Sequence, residues 1–229
     1  MIIAERKPFN EIKELIKGRK KVLVLGCGTC VSVCMAGGEK EVGLLASELR
    51  MAGQLDGGPF TIGEATIQRQ CDREYIEPIV ARAREYDAVL SMGCGAGVQF
   101  VADVLETIPV FPALNTRFIG VTEAEGTWAE RCRACGDCLV GEFGGICPVT
   151  RCTKGLTNGP CGGTRSEKCE AKDSRDCGWV LIYNRLKAQG RLANMRKFVQ
   201  PRDYSRQDHP LRVVAEAYVK PEIEKVASK

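Results

Sequence analysis

Histidine is almost missing from this chain: His209 is the one imidazole in 229 residues. Zinc or haem sites built on several histidines are thereby excluded, so any metal bound here is bound by sulfur. Also missing is any apolar run near the roughly 18 residues that a membrane span needs. Charge is nearly balanced, with 33 basic and 29 acidic residues giving a net +4, too mild a field to argue for nucleic acid. Neither a G-x-G-x-x-G nor a Walker sequence occurs, which leaves a dedicated nucleotide site without support. There is no repeat and no low-complexity tract. Residues 1–21 carry charges of both signs, from Glu5 and Arg6 to Lys13 and Glu14, with no apolar signal core. The expected location is therefore the cytoplasm.

What is abundant is cysteine, 13 in all. In a secreted chain that number would read as a disulfide framework; in a reducing compartment it reads as metal binding or redox chemistry. An odd count also leaves one thiol over if the rest were paired. Hydrophobic residues at 44% and charged residues at 27% are ordinary for a globular protein rather than a disordered one. The length allows one large domain or two modest ones.

Residues 20–114 read as an α/β unit. The apolar run 21–25 ends in Gly26, as a buried parallel strand should. Residues 39–51 have helical spacing, with Val42, Leu45, Ala46 and Leu49 on one face. A weaker strand is expected over 60–67, then a helix capped by Asp72. A clear strand follows over 87–92, a helix over 98–106 and a last strand over 109–114. Residues 10–17 form one extra amphipathic helix. This alternation predicts a small doubly wound, flavodoxin-like parallel sheet in residues 1–125. From 126 to 199 the chain is dense in Gly, Cys, Arg and Thr and too poor in apolar periodicity for a conventional core; such segments fold around metal. Within it, 179–194 looks helical. Residues 200–229 are read as a polar linker (201–210, holding His209) and a charged helical tail over 211–226.

Two cysteine constellations stand out. Cys27-Gly-Thr-Cys30-Val-Ser-Val-Cys34 follows the first strand of the α/β unit. Three thiolates so spaced can grip one cubane, and a helix N-terminus favours its negative charge. The fourth ligand is Cys94, in Gly93-Cys94-Gly95 after another strand, or Cys71 after the intervening one. Strand carboxyl ends converge on one crevice in such a sheet, so both can reach it. Competing readings are a structural zinc site on the same sulfurs and a redox dithiol at Cys27 and Cys30, which leaves Cys34 unexplained. The radical S-adenosylmethionine spacing is the reverse one.

The second constellation is Cys132-Arg-Ala-Cys135-Gly-Asp-Cys138, followed by Cys147-Pro148. This is the bacterial ferredoxin pattern with a lengthened last gap. Cys152, Cys161, Cys169 and Cys177 bring the segment to eight thiols, enough for two cubanes or for one cubane and one zinc. A zinc ribbon would show a second C-x2-C, which is absent. Trp128 and Trp179 flank the segment and are expected to shield it from water. Asn158-Gly159-Pro160-Cys161-Gly162-Gly163 reads as a tight turn that exposes backbone amides.

Cys27-Gly-Thr-Cys-Val-Ser-Val-Cys-Met-Ala-Gly-Gly-Glu-Lys-Glu-Val, Arg69-Gln70-Cys71 and Lys154-Gly-Leu-Thr-Asn-Gly-Pro-Cys-Gly-Gly together resemble the C-terminal module of methylenetetrahydrofolate reductases, which in acetogens occurs as a separate small iron–sulfur subunit. The resemblance implies a partner, a flavin-carrying (FMN or FAD) catalytic barrel that reduces methylene-tetrahydrofolate to methyl-tetrahydrofolate in one-carbon metabolism, the Wood–Ljungdahl route. This chain lacks the length and pattern of that barrel. Its expected part is electron delivery through two or three [4Fe–4S] clusters, with zinc the alternative in one site. The low-potential donor would be ferredoxin or a bifurcating flavoprotein. A zinc-stabilised assembly module of the same complex is the competing role, and an independent small reductase a third.

Overall fold

The computed structural model describes residues 1–56, 61–207 and 210–218, in two compact units that divide between Arg133 and Ala134. The first unit begins with strand β1 (Ile2–Arg6) and helix α1 (Phe9–Leu15). Then come β2 (Lys21–Cys27), the single helical turn α2 (Cys30–Val33), α3 (Glu39–Leu55), β3 (Thr61–Ile67) and α4 (Arg73–Ala83). β4 (Ala88–Ser91), α5 (Gly95–Leu105), β5 (Val110–Pro112), β6 (Leu114–Ala124) and β7 (Thr127–Cys132) complete it.

Four of these strands form a parallel sheet in the order β3-β2-β4-β5. The second strand lies outside the first and the chain then crosses to the other side, as in a doubly wound sheet. β2 sits at the centre with Val22, Leu23, Val24 and Leu25 all fully buried. Because strand side chains alternate, Val22 and Val24 join Ile12 of α1 and Val42, Leu45 and Leu49 of α3 in one core. Leu23 and Leu25 join Ile76 of α4 and Val101 and Leu105 of α5 in a second. Each such buried side chain stabilises the unit by about 1.5–3 kcal/mol, so the continuous apolar run is explained by two covered faces.

Three strands lie outside that sheet. β1, β6 and β7 form an antiparallel sheet in the order β1-β6-β7. The expectation for 1–125 included neither β1 nor this ribbon. Residues 127–132 pair with β6 and so belong to the α/β unit, which moves the division past the expected 125/126. Trp128 accordingly packs on the first core, with Ile3, Ala4 and Leu114.

Asp87 ties the start of the sheet together: its carboxylate accepts the backbone N–H groups of Lys20 and Lys21, each at 2.9 Å. Those two bonds hold its pKa below the usual carboxylate value. A depressed folded pKa contributes stability that is present above the unfolded value near 3.9 and is lost as pH falls through the folded one. Asp87→Asn is therefore expected to flatten the acid limb of the stability curve below about pH 3.9, measured by chemical denaturation across pH. An unchanged limb would contradict this.

The second unit has little regular structure: α6 (Pro148–Arg151), the two-stranded sheet of β8 (Lys168–Cys169) and β9 (Lys172–Asp176), and α7 (Gly178–Ala188). The helix expected over 179–194 ends at Ala188 and gives way to a 3-10 segment at Leu192–Arg196. Among the unit's described residues one apolar cluster forms, and it is small. Phe143, Trp179, Ile182 and Leu186 are buried together with half-buried Cys152 and Cys177 against them. Phe143 and Trp179 meet edge to face, ring centres 5.4 Å apart. Trp179 thus does pack beside cysteines. The expected linker contains a 3-10 turn, Tyr204–Gln207, with Asp208 and His209 outside the described residues. Of the expected tail helix, residues 211–215 are not helical and Glu216–Tyr218 is a 3-10 turn, while 219–226 lie outside the described residues. Among the described residues no helix is long and apolar enough to cross a membrane.

Candidate metal centre

The carboxyl ends of three adjacent parallel strands each deliver a cysteine. Cys27 ends β2, Cys71 follows β3, and Cys94 follows β4 as the N-cap of α5. Gly28 N–H bonds the Ile67 carbonyl at 2.9 Å, and the Cys27 Sγ lies 3.9 Å from the Gln68 carbonyl, so the loops after β2 and β3 run together. The Cys71 thiol is held above its ordinary value by desolvation of its inner side, then by the neighbouring Cys94 and Cys27 sulfurs. Their influence on Cys71 places the three thiols in one neighbourhood. The first turn of α5 adds favourable polarity for negative charge there.

The position of the loop after β3 depends on Gln70, to which the sequence alone assigns no role of its own. It is fully buried, as is Ser91 at the end of β4. Gln70 Nε2 donates to the Leu25 carbonyl at 2.8 Å, and Ser91 Oγ donates to Gln70 Oε1 at 2.6 Å. Gly93 N–H then donates to Ser91 Oγ at 3.1 Å. The amide therefore links β2, β4 and the residue before Cys94 while standing next to Cys71. Gly93 and Gly97 flank it so closely that a Cβ at either would collide with the Gln70 side chain.

Cys34 faces elsewhere. It is buried, 3.7 Å from the Ala4 carbonyl and 3.6 Å from that of Val31. It lines a cavity of about 580 Å³ with Ile3, Ala4, Phe118 and Trp128. Desolvation raises its pKa; the thiol acting on it is Cys30, not Cys27, Cys71 or Cys94. Cys30, half-exposed at the start of α2, stands between the two groups in sequence.

In the chain order of the second constellation, Cys132 is the last residue of β7 in the first unit, whereas Cys135 and Cys138 open the second unit. Cys135 is half-buried and lies under Arg202. Arg202 Nη2 donates to the Cys135 carbonyl at 3.1 Å, while its Nη1 is buried with no partner among the described residues. Desolvation, the largest influence, pushes the Cys135 thiol up, but the Arg202 guanidinium and the backbone hydrogen bonds at Asp137 and Cys135 together hold it below its ordinary value. Cys138 is exposed, and half-buried Cys147 caps α6.

Four further cysteines lie on segments that meet. Cys152 ends α6 and its backbone abuts Gly178, next to Cys177. Cys169 Sγ is 3.6 Å from Thr153 Oγ1. Cys161 Sγ is 3.6 Å from Glu170 Oε1, which also pairs with Lys154. The Thr153 hydroxyl, first among several groups, lowers the Cys169 thiol pKa. The turn before Cys161 is fixed from afar: Asn158 Nδ2 donates to the Val199 carbonyl at 2.9 Å, and Val199 N–H returns to Asn158 Oδ1 at 2.7 Å.

Two features suit these thiols to iron–sulfur ligation. The donors are all sulfur, and a buried guanidinium N–H beside Cys135 is left without an acceptor, as it would be next to an anionic sulfur centre. Among the described residues no three His, Cys, Asp or Glu side chains stand close enough to grip a single metal ion. Sulfurs around one tetrahedral zinc would sit about 3.8 Å apart, whereas the corners of a cubane hold thiolates more widely.

No curated protein and no solved structure matches the chain. A family model described as the methylene-tetrahydrofolate reductase C terminal matches residues 111–205, from the last parallel strand through the whole cysteine-rich segment to Arg202 and Ser205. Residues 111–205, a little under half of the chain, are therefore similar to the C-terminal part of methylene-tetrahydrofolate reductases.

Proposed function

We propose that the chain is the iron–sulfur electron-relay subunit of a cytoplasmic methylenetetrahydrofolate reductase. The observation that carries this reading is the meeting of Cys27, Cys71 and Cys94 at the carboxyl edge of the parallel sheet, in a chain whose residues 111–205 match the reductase C-terminal family. When bound, [4Fe–4S] centres, two or three along the chain, supply one-electron transfer at potentials set by charge, hydrogen bonds and exposure. The chain's own residues anchor and insulate. Cys27, Cys71 and Cys94, with Cys30 nearest in the same loop, serve the first unit. Cys135, Cys138 and Cys147 serve one site of the second unit, and Cys152, Cys161, Cys169 and Cys177 another. Folate chemistry and the flavin, FMN or FAD, belong to a partner barrel, and electrons arrive from ferredoxin or a bifurcating flavoprotein.

The test is oxygen-free purification, with iron, acid-labile sulfide, zinc and flavin counted. The expected protein is brown, carries iron and sulfide in equal amounts, and gives EPR signals on reduction. With the flavoprotein partner it passes electrons to the flavin. Colourless protein holding stoichiometric zinc would sink the relay and leave an assembly module.

A further inference from the structure

The cysteine centres need more than ligands, because a cluster's potential follows the hydrogen bonds and charges around its sulfurs. In the second unit one such device is visible. The segment around the Tyr204–Gln207 turn lies across the loop Cys135-Gly136-Asp137-Cys138. Arg206 pairs with Asp137 at 3.6 Å. Gly136 has φ +76°, and a Cβ there would press on the Arg206 backbone, so glycine is what lets the strap come down. The strap delivers Arg202, whose Nη2 is used on the Cys135 carbonyl at 3.1 Å. Its Nη1 is buried and has no acceptor among the described residues.

A buried N–H is costly when left unpaired, more so on a charged group. Resting on the relay reading, we propose that Arg202 is a positioning and tuning residue: its free N–H donates to a sulfur of the Cys135-ligated cluster and raises that one centre's reduction potential. The physical sense is direct. Reduction adds negative charge to the cluster, and a fixed cation with an N–H aimed at sulfur stabilises the reduced form more than the oxidised one. Arginine suits the task because its planar fork holds one donor on the carbonyl while aiming another at the sulfur. The strap crosses 67 residues of sequence to do this, and it would also exclude water from the loop.

The experiment is EPR-monitored redox titration of oxygen-free full-length protein, wild type against Arg202→Met and Arg202→Lys. In Arg202→Met a single centre is expected to shift so that, at the wild-type midpoint, its oxidised form is favoured roughly tenfold, about 59 mV lower for one electron. The other centres stay where they were. Arg202→Lys, which keeps the charge but not the fork, shifts the same centre less. Should Arg202→Met shed its cluster, ENDOR on wild-type protein with isotope-labelled arginine decides: a nitrogen coupling on that centre is expected. Intact clusters with no centre shifted, or no arginine coupling, would overturn the role of Arg202. Wild-type protein without iron would remove the relay reading itself, an outcome the metal count separates from the other two.

Discussion

Cys71→Ala and Cys94→Ala proteins, purified without oxygen, are each expected to lose the iron of the first unit, whereas Cys34→Ala keeps it. The spacing C-x2-C-x3-C treats Cys27, Cys30 and Cys34 as one grip and leaves Cys71 and Cys94 to compete for the fourth place. The structure arranges them differently. Cys27, Cys71 and Cys94 sit at the ends of three neighbouring strands, and the first and last are close enough to act on Cys71. Cys34 turns under α2 toward β1, buried against the Ala4 carbonyl. A cluster deprived of one of three convergent thiolates has no nearby replacement, so iron bound to the first unit should fall close to zero. Removing the Cys34 sulfur only enlarges an existing cavity, at a cost on the order of 1 kcal/mol. Iron per chain, with EPR to count centres, reads the result; the second unit's centres are the internal control. If Cys34→Ala empties the first unit while Cys94→Ala leaves it full, the strand-end arrangement is not the ligand set.

The parallel sheet was legible because its signal is strong and local. Four consecutive aliphatics closed by a glycine, as in β2, suit a short strand covered on both faces, and the helices α3, α4 and α5 carry clean apolar faces. The rule that carboxyl ends converge then brought the strand-end cysteines together without any structure. The antiparallel ribbon was illegible for the opposite reason. Of the eleven residues of β6 only Leu114 and Gly120 are buried, so no alternation of apolar and polar residues marks it, and β1 is five residues ending in Glu5 and Arg6. Arg202 was hidden because a polar stretch reads as a linker. Its meaning lies in a contact with Cys135, far away in sequence, and no local pattern encodes that. Gln70 is a similar case: nothing about one glutamine in a row of polar residues announces that it will be fully buried.

That glutamine supports the second large effect. Gln70→Leu is nearly isosteric but removes both hydrogen bonds at once. The amide orientation is fixed by chemistry, since the Leu25 carbonyl can only accept and so must face the Nε2 donor. With leucine in place, the buried Ser91 hydroxyl loses its acceptor, at a cost of about 1–3 kcal/mol, while the Leu25 carbonyl keeps only the Met92 N–H at 2.8 Å. The added apolar burial returns part of this, so a net loss of about 1–2 kcal/mol is expected, or roughly 5 °C in the melting temperature of a unit this size. Gly93 and Gly97 were shaped around the amide, and a branched leucine end fits that space badly. The damage should reach the metal centre as well, because Gln70 adjoins Cys71 and, through Ser91 and Gly93, holds the approach to Cys94. Iron should therefore bind the first unit more weakly in Gln70→Leu even at temperatures where the variant is folded. Thermal unfolding and iron retention under a chelator measure the two effects. Stability and iron binding both equal to wild type would mean that the amide is a passenger and that the strand ends are held by packing alone.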